Sequence, residues 1–147
     1  MRASTLLTML LLAGLMLAAA PRLDAGSTEP SLAIAAVTAS TNDAAVTIIV
    51  TGNYDHANVV RLGYPVTIVV STGTTVARLG LDGSVTVALG ANPPAPVPGA
   101  LGVVAIAPER LTAMLPPALV STGTAMVRLE ADYDGQLLRS NTAEVTW

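Results

Sequence analysis

The sequence predicts an all-β fold, and three features of the 147-residue chain support this prediction. Short apolar segments recur about every ten residues, they are rich in Val, Ile and Thr, and turn residues separate them. β-Branched side chains at this density favour pleated strands over helices. The regular recurrence of such segments is typical of a β-sandwich or a β-barrel.

The first predicted element is a hydrophobic N-terminal helix. Arg2 precedes an uncharged apolar run over residues 3–20, which ends in small residues and is followed by Arg22. A basic start, a Leu-rich centre and a small-residue exit are typical of a secretory signal peptide. Two interpretations stay open, since residues 1–25 are either a cleaved signal peptide or an uncleaved membrane anchor. A helix over the apolar run is roughly 27 Å long, slightly less than a hydrocarbon core of about 30 Å.

Either interpretation places the N-terminus in the cytoplasm and the rest of the chain on the exported side. We therefore expect a periplasmic, extracellular or cell-surface protein, with membrane contact only if residues 3–20 are retained as a helix. The chain contains no Cys, which excludes disulfides, thiolate chemistry and a lipid-modified cysteine.

The charge of the exported part argues against nucleic-acid binding. Removal of residues 1–25 leaves five arginines, scattered singly along the sequence, and nine acidic residues, hence a net charge of −4. Nucleic-acid binding requires a basic patch or stripe. No nucleic-acid partner is therefore predicted.

Residues 26–31 are predicted to be a linker because Gly, Ser, Thr and Pro dominate there, and residues 32–147 are predicted to form one domain. The predicted strands cover residues 32–38, 45–51, 66–71, 75–79, 84–89, 102–106, 110–115, 125–133, 136–139 and 143–147.

The alternation of apolar and polar residues is clearest over residues 125–133. Arg128 and Glu130 fall on one face and apolar residues fall on the other, which predicts one wet and one dry face. Asp134 and Gly135 follow directly, a pair typical of the tight turn of a hairpin. The strand and the return arm are therefore predicted to pair.

Three other segments have features that limit their structure. Residues 81–84 predict a second tight turn, and residues 91–98 contain four prolines, which excludes a central strand and indicates an exposed connection between the sheets. Residues 107–115 have two interpretations, a strand or a short helix that begins after Pro108.

The run Val46-Thr-Ile-Ile-Val-Thr-Gly-Asn-Tyr54 resembles the early strand of IPT/TIG-type immunoglobulin-like domains of exported bacterial proteins. The order of the closing segments, with Asp134-Gly135 before a final strand, is also similar to that family, and the resemblance covers residues 44–147. It implies an immunoglobulin-like β-sandwich of about seven to nine strands with a binding or spacer role. It carries over no catalytic residue.

Polar and aromatic residues around the only histidine form the candidate binding site. The candidate binding residues are Asn53, Tyr54, Asp55, His56, Asn58 and Tyr64. We expect residues 52–58 to form a loop, with Tyr54 and Tyr64 as surface anchors at its two ends.

An Asp55–His56 pair could orient a general base, but no serine lies in a nucleophile-elbow context, and one histidine without cysteine does not build a zinc site. An oxygen-rich calcium site built from Asp132, Asp134 and Asn141 is less favoured than a solvated hairpin tip. Tyr133 and Trp147 are expected to fill the core. No catalytic residue, metal or cofactor is predicted.

The chain is thus expected to be an exported, non-catalytic module that binds a protein partner or a surface assembly through loops or an unpaired edge strand. One alternative is an accessory subunit of a membrane complex, anchored by the retained N-terminal helix. A second alternative is a small-ligand-binding or hydrolytic protein that uses the Asp55–His56 loop.

Overall fold

Two antiparallel β-sheets make up most of the structure, a computed structural model that describes residues 31–97 and 101–147. The predicted N-terminal helix and linker residues 26–30 lie outside the described residues. The strands are β1 (Ala33–Thr41), β2 (Val46–Asn53), β3 (Val66–Thr72), β4 (Thr75–Gly80), β5 (Val85–Leu89), β6 (Ala95–Pro96), β7 (Gly102–Ala107), β8 (Arg110–Leu115), β9 (Thr124–Tyr133), β10 (Gln136–Arg139) and β11 (Ala143–Thr146). One short helix, α1 (His56–Leu62), follows β2, and a 3-10 turn covers Pro117–Leu119.

The smaller sheet has four strands in the order β1-β2-β8-β7. The larger sheet has seven strands in the order β10-β9-β3-β4-β5-β6, and β11 also pairs with β9. The short strands β10 and β11 both pair with the long strand β9. β10 pairs with residues 130–133 of β9, and β11 pairs with residues 124–127.

One hydrophobic core joins the two sheets in a β-sandwich arrangement. Alternate residues of β2 and β8 in the smaller sheet and of β3 and β9 in the larger sheet point into it. The most deeply buried side chains of this core include Ile48, Ile68, Leu79, Leu111, Leu115 and Leu129. Without disulfides, the fold depends on burial of these side chains.

The structure confirms that each predicted strand segment contains a strand, and it confirms both predicted turns. β9 and β10 form a hairpin in which Asp134 (φ 52°) and Gly135 (φ 85°) supply the left-handed conformations that a tight turn requires. The helical interpretation of residues 107–115 is wrong, since β8 pairs with both β2 and β7.

The strand count was underestimated. The described residues contain eleven strands instead of about seven to nine. The additional ones are short, such as β6 with two residues inside the proline-rich connection. This connection is exposed, and it leads from the larger sheet to the smaller one as predicted, because β6 pairs with β5 and β7 pairs with β8. Its prolines lack the N–H groups that a longer strand would use.

A loop was predicted over residues 52–58, but its second half is helical. Asp55 adopts a left-handed conformation (φ 57°) immediately before α1, and Gly63 (φ 70°) ends the helix with its N–H bonded to the Val59 carbonyl. Among the described residues, no helix combines the length and hydrophobicity needed to cross a membrane.

Candidate functional site

Asp55 fastens α1 to the larger sheet. Its carboxylate accepts two hydrogen bonds from Asn58 Nδ2, at 3.0 and 2.8 Å, and one from the Tyr133 hydroxyl at 3.4 Å. Burial raises the pKa of Tyr133 to about 12, and the negative charge of Asp55 adds to this shift. The carboxylate of Asp55 is therefore engaged in contacts that position the helix.

His56 is half-buried and packs with its ring edge-on to Tyr54, at 5.8 Å between ring centroids. Within the described residues, no hydrogen bond joins His56 to Asp55, although the two are neighbours in sequence. A His–Asp pair that activates a nucleophile needs this hydrogen bond and a hydroxyl within reach of the other ring nitrogen. The geometry supplies no such pair.

Tyr54 is not a surface anchor, because its side chain is 1 % exposed. Its hydroxyl donates to the backbone carbonyl of Ala107 at the end of β7, and burial raises its pKa. The burial of Tyr54 could not be predicted from a single sequence, since an aromatic residue beside a polar loop can either pack in the core or lie at the surface. Tyr54 therefore connects the end of β2 with the end of β7.

Tyr64, the second expected anchor, is half-buried and packs against Tyr133 with ring centroids 4.5 Å apart. Its hydroxyl lies 3.5 Å from Asp134 Oδ2. Tyr133 is buried and Trp147 is half-buried against the core, as predicted for both. Tyr64 thus retains partial accessibility at the end of the sandwich where α1 lies.

The structure divides five of the six predicted binding residues between two shallow depressions. Asn53, Asp55 and His56 line one of about 680 Å³ together with Glu109. Asn58 and Tyr64 line another of about 430 Å³. Tyr54 lines neither and belongs to the core. A binding role for the other five residues remains a prediction.

The three residues considered for a calcium site have separate partners. The Asn141 side chain bonds both backbone polar groups of Ile34 and so fixes β1, whereas Asp132 accepts the Gly135 N–H within the hairpin turn. Across residues 31–97 and 101–147, no group of three or more His, Asp or Glu side chains converges on a position for a metal ion. These contacts support the hairpin-tip interpretation.

The strand β7 is an apolar edge of the smaller sheet. Among the described residues, β8 is the only strand hydrogen-bonded to β7, although β4 of the larger sheet also contacts it. Val104 is 50 % exposed and Ile106 is 43 % exposed. Residues 83–108, which include this strand, contain no charged side chain, and this signal is visible in the sequence. The edge therefore lacks the charges that usually prevent strand addition.

A groove of about 440 Å³ lies beside this edge. Ile106 of β7 and Val60 of α1 contribute to its walls, together with Tyr64, Pro65 and Leu81. Val60 is one of the most exposed large apolar residues of the described chain, at 63 %. An unpaired edge strand next to an apolar groove offers main-chain hydrogen bonds and space for a side chain of an added strand.

A third feature was missed by sequence analysis, because it brings together residues that are far apart in the chain. On the outer face of the larger sheet, Glu130 is surrounded by Arg78, Arg128 and Arg139. We call these four residues the arginine cluster. The arginine nitrogens lie 2.5, 2.8 and 3.3 Å from the Glu130 carboxylate. The fold therefore brings together three arginines that stand singly along the sequence.

Glu130 is 4 % exposed although it lies on the outer face. Its burial acts to raise its pKa, but hydrogen bonds and charges from Arg78 and Arg128 outweigh burial and hold the pKa below its ordinary value. The carboxylate therefore stays ionised and keeps the guanidinium groups together.

Comparison of the chain with protein-family models, curated proteins and solved structures yields no match. The functional argument therefore depends on the geometry of these sites.

Proposed function

We propose that this chain is an exported, non-catalytic interaction module with an immunoglobulin-like fold, and that it binds an extended segment of a protein partner at the β7 edge. The partner adds a strand to the smaller sheet and places a side chain in the groove beside α1. The observation that carries this proposal is the exposed, uncharged edge strand, with Val104 and Ile106 accessible and, within residues 31–97 and 101–147, no strand paired to its outer side.

The other edges are less suited to strand addition, since β10 is only four residues long and carries Arg139. β6 is two residues long and includes Pro96, and proline cannot donate a backbone hydrogen bond. β1 contacts β11, and Asn141 binds its backbone at Ile34. Natural sheets protect their edges by such means. An edge that lacks this protection is the best candidate for a docking strand.

A bulge between Val103 and Ala105 interrupts the pairing of β7 with β8. Bulges bend a strand and fix its register, and this one precedes Ile106, which faces the groove. We expect the added strand to be apolar where it meets the groove and to pair with residues 104–107. A negatively charged side chain placed there would lose its hydration and face Asp82, which also lines the groove.

The proposal is tested with the protein from its native exported fractions. Chains that co-purify with it are identified, and the affinity of the isolated partner is measured for the wild-type protein, for the double variant Val104→Lys/Ile106→Lys, and for Leu89→Lys. Leu89 is 54 % exposed and belongs to the same uncharged segment, but it lies on β5. It is therefore a matched control for the added charge.

We expect the double variant to weaken binding at least about tenfold, because truncating or blocking a central anchor commonly costs more than 1–2 kcal/mol. Leu89→Lys should change the affinity less than about twofold. A partner that binds the double variant as tightly as the wild-type protein contradicts docking at β7, as does the absence of any bound chain.

The alternative of an accessory membrane subunit differs from the free module in that the N-terminal helix is retained as an anchor. Both proposals use the same docking edge. The anchored subunit is favoured by the apolar run over residues 3–20 between Arg2 and Arg22. The intact mass of native protein distinguishes the two proposals. A mass without the first 19 to 25 residues, in the soluble exported fraction, supports a free module. A full-length mass in the membrane fraction supports an anchored subunit.

A further inference from the structure

The arginine cluster contains more positive charge than its carboxylate neutralises. Three guanidinium groups share Glu130, so two positive charges remain in excess within the cluster. Their side chains are 40 %, 31 % and 60 % exposed for Arg78, Arg128 and Arg139, respectively. A buried carboxylate thus holds three accessible cations on a rigid sheet.

Several N–H donors of the arginine cluster do not bond to Glu130. Arg78 bonds through one terminal nitrogen, and Arg139 bonds only through Nε. The described residues supply no acceptor for the two terminal nitrogens of Arg139. A planar guanidinium group with two free donors matches a carboxylate in bidentate geometry.

The direct cross-strand neighbours of the cluster on β3 and β5 are uncharged. Cross-strand neighbours on the same face are Thr67 and Val69 of β3 and Thr86 of β5. The acidic residues of this face lie beyond these neighbours. Asp82 lies over Gly80 and binds Ser84 at the β4–β5 turn, Asp132 is near the hairpin turn, and Glu144 is opposite Met126. Incoming negative charge is therefore accommodated over the middle of the sheet, between these acidic side chains.

We propose that the arginine cluster binds carboxylates of an acidic segment of a protein partner, on a face separate from the β7 edge. Two excess positive charges match a segment with two closely spaced acidic side chains. A nucleic acid needs many more phosphate contacts than two excess charges supply. Because Glu130 already holds the arginines in place, binding loses little side-chain entropy.

The test uses the exported domain as it is purified from native fractions, with a synthetic peptide of alternating Glu and Gly as the probe. The same peptide with Gln in place of Glu is the charge control. Binding is measured by calorimetry at low ionic strength, since salt screens exposed charges. The protein variants are Arg139→Gln, Arg78→Gln and, as a matched control outside the cluster, Arg110→Gln.

We expect the Glu peptide to bind and the Gln peptide not to bind. Arg78→Gln should weaken binding about tenfold, the order expected when one hydrogen bond to a charged group is lost. Arg110→Gln should leave it within about twofold. Arg139→Gln keeps the test valid if Arg78→Gln fails to fold, because Arg139 is the most exposed arginine of the cluster. It should weaken binding at least about threefold.

Four outcomes overturn the proposal. The Glu peptide does not bind the wild-type protein, or the cluster variants bind it as the wild-type protein does, or Arg110→Gln weakens binding as much as they do. Tighter binding of a single-stranded oligonucleotide or of anionic lipid vesicles than of the Glu peptide also overturns it, because the ligand would then be a phosphate polymer or a membrane.

Discussion

The outer face of β9 and the edge strand β7 are both accessible parts of the same sandwich, yet they are built in opposite ways. Around Glu130 of β9, the carboxylate and three arginines from β4, β9 and β10 cover the sheet. Val69 of β3 lies beneath them and is fully buried despite its outward position. On β7, Val104 and Ile106 are exposed without any charged neighbour in residues 83–108. The comparison indicates that the charged face contributes to stability, whereas the apolar edge contributes little to it.

The same substitution in the two regions tests this difference most directly. Val69→Ala should lower the free energy of unfolding by about 2 kcal/mol, because two buried methyl groups and their packing are lost. Val104→Ala should change it by less than about 0.5 kcal/mol, since this side chain is half exposed. Chemical denaturation of both variants measures the two values.

Equal costs at the two positions would contradict the comparison. They would mean that the arginine side chains do not shield Val69, or that β7 is covered in solution. The aliphatic parts of Arg78 and Arg128, which flank Val69 on the neighbouring strands, are the groups expected to cover it.

The second prediction concerns the pH dependence of stability. The pKa of Glu130 is lowered in the folded state, so its contribution is fully present above the pKa of the unfolded chain, about 4.3. It is lost as the pH falls through the lower folded-state value. Glu130→Gln should therefore cost about 1 kcal/mol at neutral pH, a value discounted for the solvent exposure of the arginines.

The difference in stability between the wild-type protein and Glu130→Gln should shrink as the pH falls below about 4. Denaturation curves recorded from pH 7 to pH 3 measure it. A difference that stays constant over this range would show that the ionised carboxylate does not stabilise the fold. Asp43→Asn is a suitable control, because Asp43 is an exposed acidic residue with no arginine partner in the described structure.

The sequence predicted the strand β7, but it predicted neither the position of this strand at a sheet edge nor the arginine cluster, for a physical reason. Strands and tight turns depend on local patterns, and the Asp134-Gly135 turn is an example. The absence of charge in residues 83–108 is also a local property. The arginine cluster depends on the register of β9 with β3 and β10, which no single segment contains.

The candidate site around His56 shows the same limit. The polar residues were found from their spacing, but the burial of Tyr54 depends on the position of Ala107, far along the chain. The helix α1 was missed because its seven residues include two adjacent valines, which favour strands when judged alone. Tertiary contacts of Val59 and Asp55 outweigh this local preference.

The third prediction ranks the arginines within the cluster and has the smallest effect. Arg139 is the most exposed of the three, and its contact with Glu130 is the longest, at 3.3 Å. Arg139→Gln should therefore lower the free energy of unfolding by less than about 0.5 kcal/mol, as is usual for exposed ion pairs. Arg78→Gln should lower it more, because Arg78 makes the shortest contact with the carboxylate.

The ranking separates stability from binding when it is combined with the peptide titrations. If Arg139→Gln weakens peptide binding while its denaturation midpoint is unchanged, Arg139 acts in recognition and the other two arginines hold the fold. If it lowers stability as much as Arg78→Gln does, the three arginines form one cooperative network around Glu130. In that case, the charged face is a structural unit, and the exposed fraction of an arginine side chain does not predict its contribution to the free energy of unfolding.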